Sequence, residues 1–195
     1  MLDLSRWKLF LASKSPRRSE LMTQAGFVFE VYAKDVEEIY PNDHPVSLVP
    51  EYLAELKANA CLEILSGQNQ MIISADSIVL INGEIIGKPK NRMDAVNILR
   101  KLSDNFHTVI TGVAIRTLDK TVTFSESAEV LFYPLTDDEI DYYIDKFDPM
   151  DKAGAYGIQD WIGLCKVREI SGNFSNIMGL PVSRLYHELE LFIEL

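Results

Sequence analysis

The stretch Lys8-Leu9-Phe10-Leu11-Ala12-Ser13-Lys14-Ser15-Pro16-Arg17-Arg18-Ser19-Glu20-Leu21 changes character halfway along. Lys8 to Ala12 reads as a short buried strand. Ser15-Pro16 then opens a helix, because serine is a good cap and proline suits the first helical position, where its missing N–H is not needed. Gly26 supplies a natural stop at the far end. The chain therefore passes from strand to helix through a short polar loop, and it keeps mixing the two elements from there on.

Phe27 to Tyr32 is aromatic and β-branched, which predicts a strand. An acidic, turn-rich loop follows from Asp35 to about Pro45. Leu53, Leu56, Ala60 and Ile64 recur at helical spacing and predict an amphipathic helix over Ser47–Leu65, with Pro50 confined to its first turn. Met71–Ile81 reads as a strand, and Asn82-Gly83 is a type I′ hairpin signal leading into Glu84–Gly87. Ala95, Val96, Leu99 and Leu102 mark a further helix. His107–Arg116 and Thr121–Phe132 form a strand pair about the turn Leu118-Asp119-Lys120. Thr136 caps a helix over Asp137–Lys146, Leu164–Ile170 reads as a strand, and a last helix runs from Pro181 to the end. Strict strand-helix-strand alternation is missing. The expectation is an α/β fold with a mixed, largely antiparallel sheet. No repeat, low-complexity tract or long linker interrupts residues 1–195, so a single domain is expected.

The bulk numbers narrow the function. A chain of 195 residues, 47% hydrophobic and 25% charged, has the composition of an ordinary globular protein. Its net charge of −10 argues against broad binding to nucleic acid, although one small anion needs only a local basic cluster. The opening residues are too polar for a secretion signal and no run is long enough to span a bilayer, so a cytoplasmic setting without membrane contact is expected. Cys61 and Cys165 are too few for a disulfide framework and read as buried small hydrophobes. His44, His107 and His187 lack zinc-ligand spacing.

Six features carry candidate chemistry, each with a plainer reading beside it. Arg17 and Arg18 fall in the first turn of a helix, where each cation costs about 0.3–1 kcal/mol against the helix dipole. A bound anion would resolve that conflict. Backbone N–H groups, the Ser13 and Ser15 hydroxyls and the arginine forks together make a phosphate cradle. The alternative is that the arginines face solvent or pair with Glu20 or Glu30. Asp76, in Ser74-Ala75-Asp76-Ser77, ends an apolar stretch on a rigid element and suits a metal ligand or general base. It also suits a strand-terminating turn. Lys88, in Gly87-Lys88-Pro89, is a phosphate clamp or a solvated loop lysine. Lys57, beside the apolar stripe of its helix, is a ligand contact or a snorkelling side chain. In Asp151-Lys152-Ala153-Gly154-Ala155-Tyr156-Gly157-Ile158-Gln159, the glycines let backbone approach a ligand closely, and Gln159 offers the donor and acceptor that a uracil or thymine edge requires. The same residues also make an ordinary turn and strand. Gly172–Pro181 is a Gly/Asn-rich loop that completes a pocket or caps the final helix.

Taken in order, Leu11-Ala12-Ser13-x-Ser15-Pro16-Arg17-Arg18-x-Glu20-Leu21, Ala75-Asp76-Ser77, Gly87-Lys88-Pro89, Lys152-Ala153-Gly154-Ala155-Tyr156-Gly157-Ile158-Gln159 and Gly179-Leu180-Pro181 resemble the Maf family over nearly the whole chain. The resemblance implies an elongated mixed sheet with flanking helices and two lobes around a central cleft, an architecture shared with the inosine triphosphate pyrophosphatases. It implies a homodimer and a nucleoside triphosphate pyrophosphatase that depends on a divalent cation, Mg²⁺ or Mn²⁺. It assigns Asp76 as the general base, Glu38 as a second catalytic acidic residue, and both as metal ligands. Arg17, Arg18, Lys57 and Lys88 match the family's basic phosphate-binding positions, with Lys88 counted among the catalytic set. Ser13, Ser15, Ser77, Lys152 and Gln159 complete the substrate-binding set.

Arg17, Gln159 and the hydroxyl of Ser77 resemble the subgroup that prefers dTTP and UTP, which has threonine at the Ser77 position. The tryptophan and glutamate of the 7-methyl-GTP subgroup do not occur here. The family also implies an alternative role as a nucleotide-binding regulator of septum formation.

Overall fold

A computed structural model describes residues 2–194. The strands are β1 (Lys8–Leu11), β2 (Phe29–Val31), β3 (Gln70–Ile81), β4 (Glu84–Ile86), β5 (Phe106–Arg116), β6 (Thr121–Phe132) and β7 (Val167–Ser171). The helices are α1 (Pro16–Gln24), α2 (Val49–Ala60), α3 (Arg92–Leu102), α4 (Asp137–Phe147), α5 (Trp161–Lys166), α6 (Phe174–Met178) and α7 (Val182–Glu194). The seven strands lie in the order β2-β1-β3-β5-β6-β7, with β4 paired to β3. β1 runs parallel to β2 and to β3. β3–β4 and β6–β7 are antiparallel. β5 and β6 are joined by residues 117–120 alone, too short a link for a parallel crossover. The sheet is therefore mixed and largely antiparallel, as the sequence predicts.

Local chemistry explains most of the element ends. Pro16 occupies the start of α1, and Ser15 stands in the cap position with extended backbone. The Ser15 hydroxyl makes no cap bond; its own N–H instead donates to Ser13 Oγ at 3.2 Å. Asn82 and Gly83 both take positive φ, 51° and 81°, as a type I′ turn requires, and the β3–β4 pairing closes on Ile81 and Glu84. Thr136 and Glu139 form a reciprocal capping box at the start of α4.

Three expectations are corrected. The helix expected over Ser47–Leu65 is three pieces: a 3₁₀ turn at Val46–Leu48, α2, and a second 3₁₀ turn at Leu62–Ile64. The break at Cys61 turns Cys61 and Leu65 into one core with Phe10, Ala54, Ala58 and Ile72. Pro50 does fall in the first turn of α2. The strand expected from Leu164 begins only at Val167, because Leu164 N–H bonds the Asp160 carbonyl and Trp161–Lys166 coils into α5. The helix leaves Leu164 77% exposed and Cys165 exposed, so Cys165 is not the buried hydrophobe expected of it.

The chain groups into two compact units. Among the described residues, the first comprises 2–76, 111–126 and 179–194, and the second 77–110 and 127–178. The first unit's β5 segment meets α2 backbone to backbone. A Cβ built on Gly112 would lie 2.2 Å from Pro50 C and Glu51 N, so no side chain fits there. The second unit's core gathers Val79, Leu99, Leu102, Phe132, Tyr143, Ile158 and Ile162. His107 is buried within the second unit, edge-on to Phe132 and Tyr156, with its Nε2 2.7 Å from the Tyr156 hydroxyl.

Candidate active site

In the first unit, the loop from β1 to α1 is tied to two distant segments by Arg18. Its Nε donates to the Gly179 carbonyl at 2.7 Å, and its Nη1 donates to the Ala75 carbonyl at 2.7 Å and to Ser13 Oγ at 3.3 Å. The side chain at the third position of α1 thus fixes the residue just before Asp76. Of the acidic partners considered from sequence, Glu30 is engaged by Lys8 at 2.9 Å and Glu20 by Gln24 at 3.0 Å. Burial pushes the Arg18 guanidinium below its ordinary value, opposed by the negative charges of Asp76 and Glu38 and reinforced by Arg17. Asp76, Glu38 and Arg17 therefore each lie within electrostatic reach of Arg18.

The acidic pair comes together on Lys57. α2 delivers the lysine, β3 delivers Asp76, and the irregular segment after β2 delivers Glu38. Lys57 Nζ is 2.7 Å from Glu38 Oε1 and directly contacts Asp76 Oδ1. The Asp76 and Lys57 side chains are 11% and 19% exposed, whereas Glu38 is 44% exposed. Glu38, not its neighbour Glu37, reaches the lysine. Two carboxylates converging on one cation position form the hard-oxygen donor set that Mg²⁺ or Mn²⁺ accepts, since these ions need few protein carboxylates when phosphate oxygens and water complete the shell. The residues present therefore fit such an ion.

In the second unit, the Gly154 N–H donates to the Gly87 carbonyl at 3.1 Å, which draws Gly87-Lys88-Pro89 beside Lys152-Ala153-Gly154. Gly154 has φ +72°, and a Cβ on it would meet Val79 at 2.9 Å. Lys88 is exposed and Ser77 half-buried. Lys152 is nearly covered and faces two carboxylates, Asp151 at 3.2 Å and Asp160 at 3.8 Å. Gln159 Oε1 is buried with no hydrogen-bond partner.

Of the residues singled out from sequence, Ser13, Ser15, Arg17, Arg18, Glu38, Lys57 and Asp76 belong to the first unit, and Ser77, Lys88, Lys152 and Gln159 to the second. Sequence reading missed Tyr143 and Asp160. The Tyr143 hydroxyl donates to Asp160 Oδ2 at 2.7 Å and accepts the Gly157 N–H at 2.9 Å. The available signal was Asp160 itself, an aspartate in a helix-capping position directly after Gln159.

A family model described as Maf-like protein matches residues 8–192, and this chain belongs to the Maf family. Among curated relatives, a protein of Bacteroides thetaiotaomicron named dTTP/UTP pyrophosphatase is 46% identical over 96% of this chain and 97% of its own length. One of Phocaeicola vulgatus with the same name is 48% identical over the same shares. A third, of Porphyromonas gingivalis and again so named, is 45% identical over 100% of this chain and 99% of the relative. A solved structure described as the Staphylococcus aureus Ham1 protein aligns at 18% identity with a TM-score of 0.44, over 64% of this chain and 71% of that one.

Proposed function

We propose that this protein is a nucleoside triphosphate pyrophosphatase that cuts dTTP and UTP between the α- and β-phosphates. The observation that carries the reading is the convergence of Asp76 and Glu38 on Lys57, within reach of Arg18, in a chain of the Maf family. The shared name of three relatives near 45% identity supports the substrate choice.

Asp76 takes a proton from the attacking water. The water oxygen bonds to the α-phosphorus, the bond from that phosphorus to the bridging oxygen breaks, and pyrophosphate leaves with the bond's electrons. A nucleoside monophosphate remains. Asp76 sits on a strand whose preceding carbonyl is pinned by Arg18, so its carboxylate is held still for this step. A divalent cation held by Glu38 and Asp76 would supply charge neutralisation and polarise the water. Ser13, Ser15, Arg17 and Arg18 at the start of α1, with Lys57, provide the positive field for the phosphates. Lys88 and Lys152 carry the basic charge for the leaving pyrophosphate. Ser77 and Gln159 contact the nucleoside, Gln159 through an amide oxygen that lacks a protein partner. We propose a homodimer in a cytoplasmic setting, the compartment that holds nucleoside triphosphates. Among the described residues no helix is long and apolar enough to cross a membrane.

The test is product analysis over UTP, dTTP, ATP and 7-methyl-GTP with Mg²⁺ and with Mn²⁺. Pyrophosphate and UMP from UTP, lost on chelation, are expected. Orthophosphate release would make the protein a terminal phosphatase, a preference for 7-methyl-GTP would reassign the base, and binding without turnover would favour a regulator. Light scattering of the purified protein reads the assembly.

A further inference from the structure

Gln159 lies in a four-residue turn, Gly157-Ile158-Gln159-Asp160, closed by the Asp160 N–H on the Gly157 carbonyl at 3.0 Å. One side chain holds both ends of that turn. The Tyr143 hydroxyl accepts the Gly157 N–H and donates to the Asp160 carboxylate. Tyr143 itself is fully buried on α4 and stacked on Phe147 at 5.3 Å.

Asp160 stands where an aspartate would ordinarily cap α5, yet its carboxylate makes no cap bond. It is turned to Tyr143 instead. The turn is also wound tightly: a Cβ on Gly157 would sit 2.5 Å from Asp160 Oδ2. Within this fastened turn, the Gln159 amide oxygen is buried and unpartnered, an arrangement that is unfavourable unless a ligand donor meets it. The same carboxylate is the second acidic neighbour of Lys152.

We infer that Tyr143 and Asp160 are positioning residues for base selection: the tyrosine hydroxyl locks the 157–160 turn so that Gln159 presents its amide to a pyrimidine edge. The inference rests on the dTTP/UTP reading and deepens it. A preset amide rejects the wrong base because mismatched polar groups are left unpaired; a loose amide readjusts and loses that discrimination.

The experiment is a double-mutant cycle with Tyr143→Phe and Gln159→Ala, reading kcat and KM for UTP and for ATP. Tyr143→Phe keeps the ring and its stack and deletes only the hydroxyl. It is expected to raise KM for UTP about tenfold, to leave kcat within about twofold, and to cut the UTP-over-ATP preference about tenfold. In the Gln159→Ala background the same change should do almost nothing further.

Asp160→Ala attacks the latch from its other side and should reproduce the loss if Tyr143→Phe folds poorly. Asp160→Asn, which still accepts from Tyr143, should retain most of the preference. Full additivity of the two losses, or a wild-type preference in both Tyr143→Phe and Asp160→Ala, overturns the inference. If Gln159→Ala alone leaves the preference unchanged, the role given to Gln159 fails first.

Discussion

The Lys57 ammonium rests directly on the Asp76 carboxylate, and the same nitrogen holds Glu38. One cation thus balances two acids, and the two partners of the contact should respond differently to substitution. Asp76→Asn removes the base while leaving an acceptor of the same shape. Turnover should fall at least about a hundredfold, with the thermal midpoint little changed. Near-normal pyrophosphate release from this variant would take Asp76 out of the mechanism.

Lys57→Met keeps the stem but removes the ammonium that touches both Glu38 and Asp76. The chain should lose about 1–3 kcal/mol, because the lysine and aspartate are mostly covered while Glu38 is open to water. Lys57→Arg should recover much of that loss. Urea unfolding of the three proteins measures it, and equal midpoints would mean that the triad contributes no net stability.

Arg18→Lys looks conservative and should not behave so. A lysine cannot hold the Gly179 and Ala75 carbonyls with the arginine's planar geometry. A stability loss of about 1–3 kcal/mol is expected. A drop in kcat should accompany it, since the backbone before Asp76 loses its anchor. A variant that loses kcat without losing stability would point to direct phosphate contact in place of anchoring.

His107 sets a pH dependence. Burial lowers its pKa from 6.5 to about 4, so it stays neutral in the folded chain while the unfolded chain takes up a proton below pH 6.5. Stability from the neutral ring is therefore fully present above pH 6.5 and drains away as the pH falls toward 4, by up to about 3 kcal/mol. Chemical denaturation at pH 7.5 and 5 should show the slope, and His107→Phe should flatten it by about one proton.

Gly112→Ala forces a methyl into the backbone of Pro50 and Glu51. The cost should reach about 3 kcal/mol or more, since backbone yields less readily than a side chain. Gly87→Ala, where a Cβ meets nothing within 4 Å, is the matched control. A thermal shift common to both would locate the effect elsewhere.

Sequence was most informative where the determinant is local. The Asn82-Gly83 turn, the Thr136 cap and Pro50 each act within a few residues, and each stands as expected. Periodicity failed at Leu164 and Cys165, because a short apolar run fits strand and helix equally, and here Trp161–Lys166 coils into α5. In the candidate site, residue types were legible but pairings were not. Lys57 finds acids 19 positions away on either side, and Arg18 reaches carbonyls 57 and 161 positions distant. Main-chain acceptors carry no residue signature, so Arg18's fastening role was hidden. Tyr143 was hidden for a related reason: in sequence it is simply another apolar position on α4, and its hydroxyl gains meaning only beside Gly157 and Asp160.

The division of the chain at 76/77, 110/111, 126/127 and 178/179 bears on how the polypeptide matures at the ribosome. Residues 179–194 are made after the second unit yet belong with residues 2–76, made before it. The segment up to Asp76 therefore gains these partners only after the whole second unit has been synthesised. Until then the backbone before Asp76 is without the tether from Arg18 to Gly179.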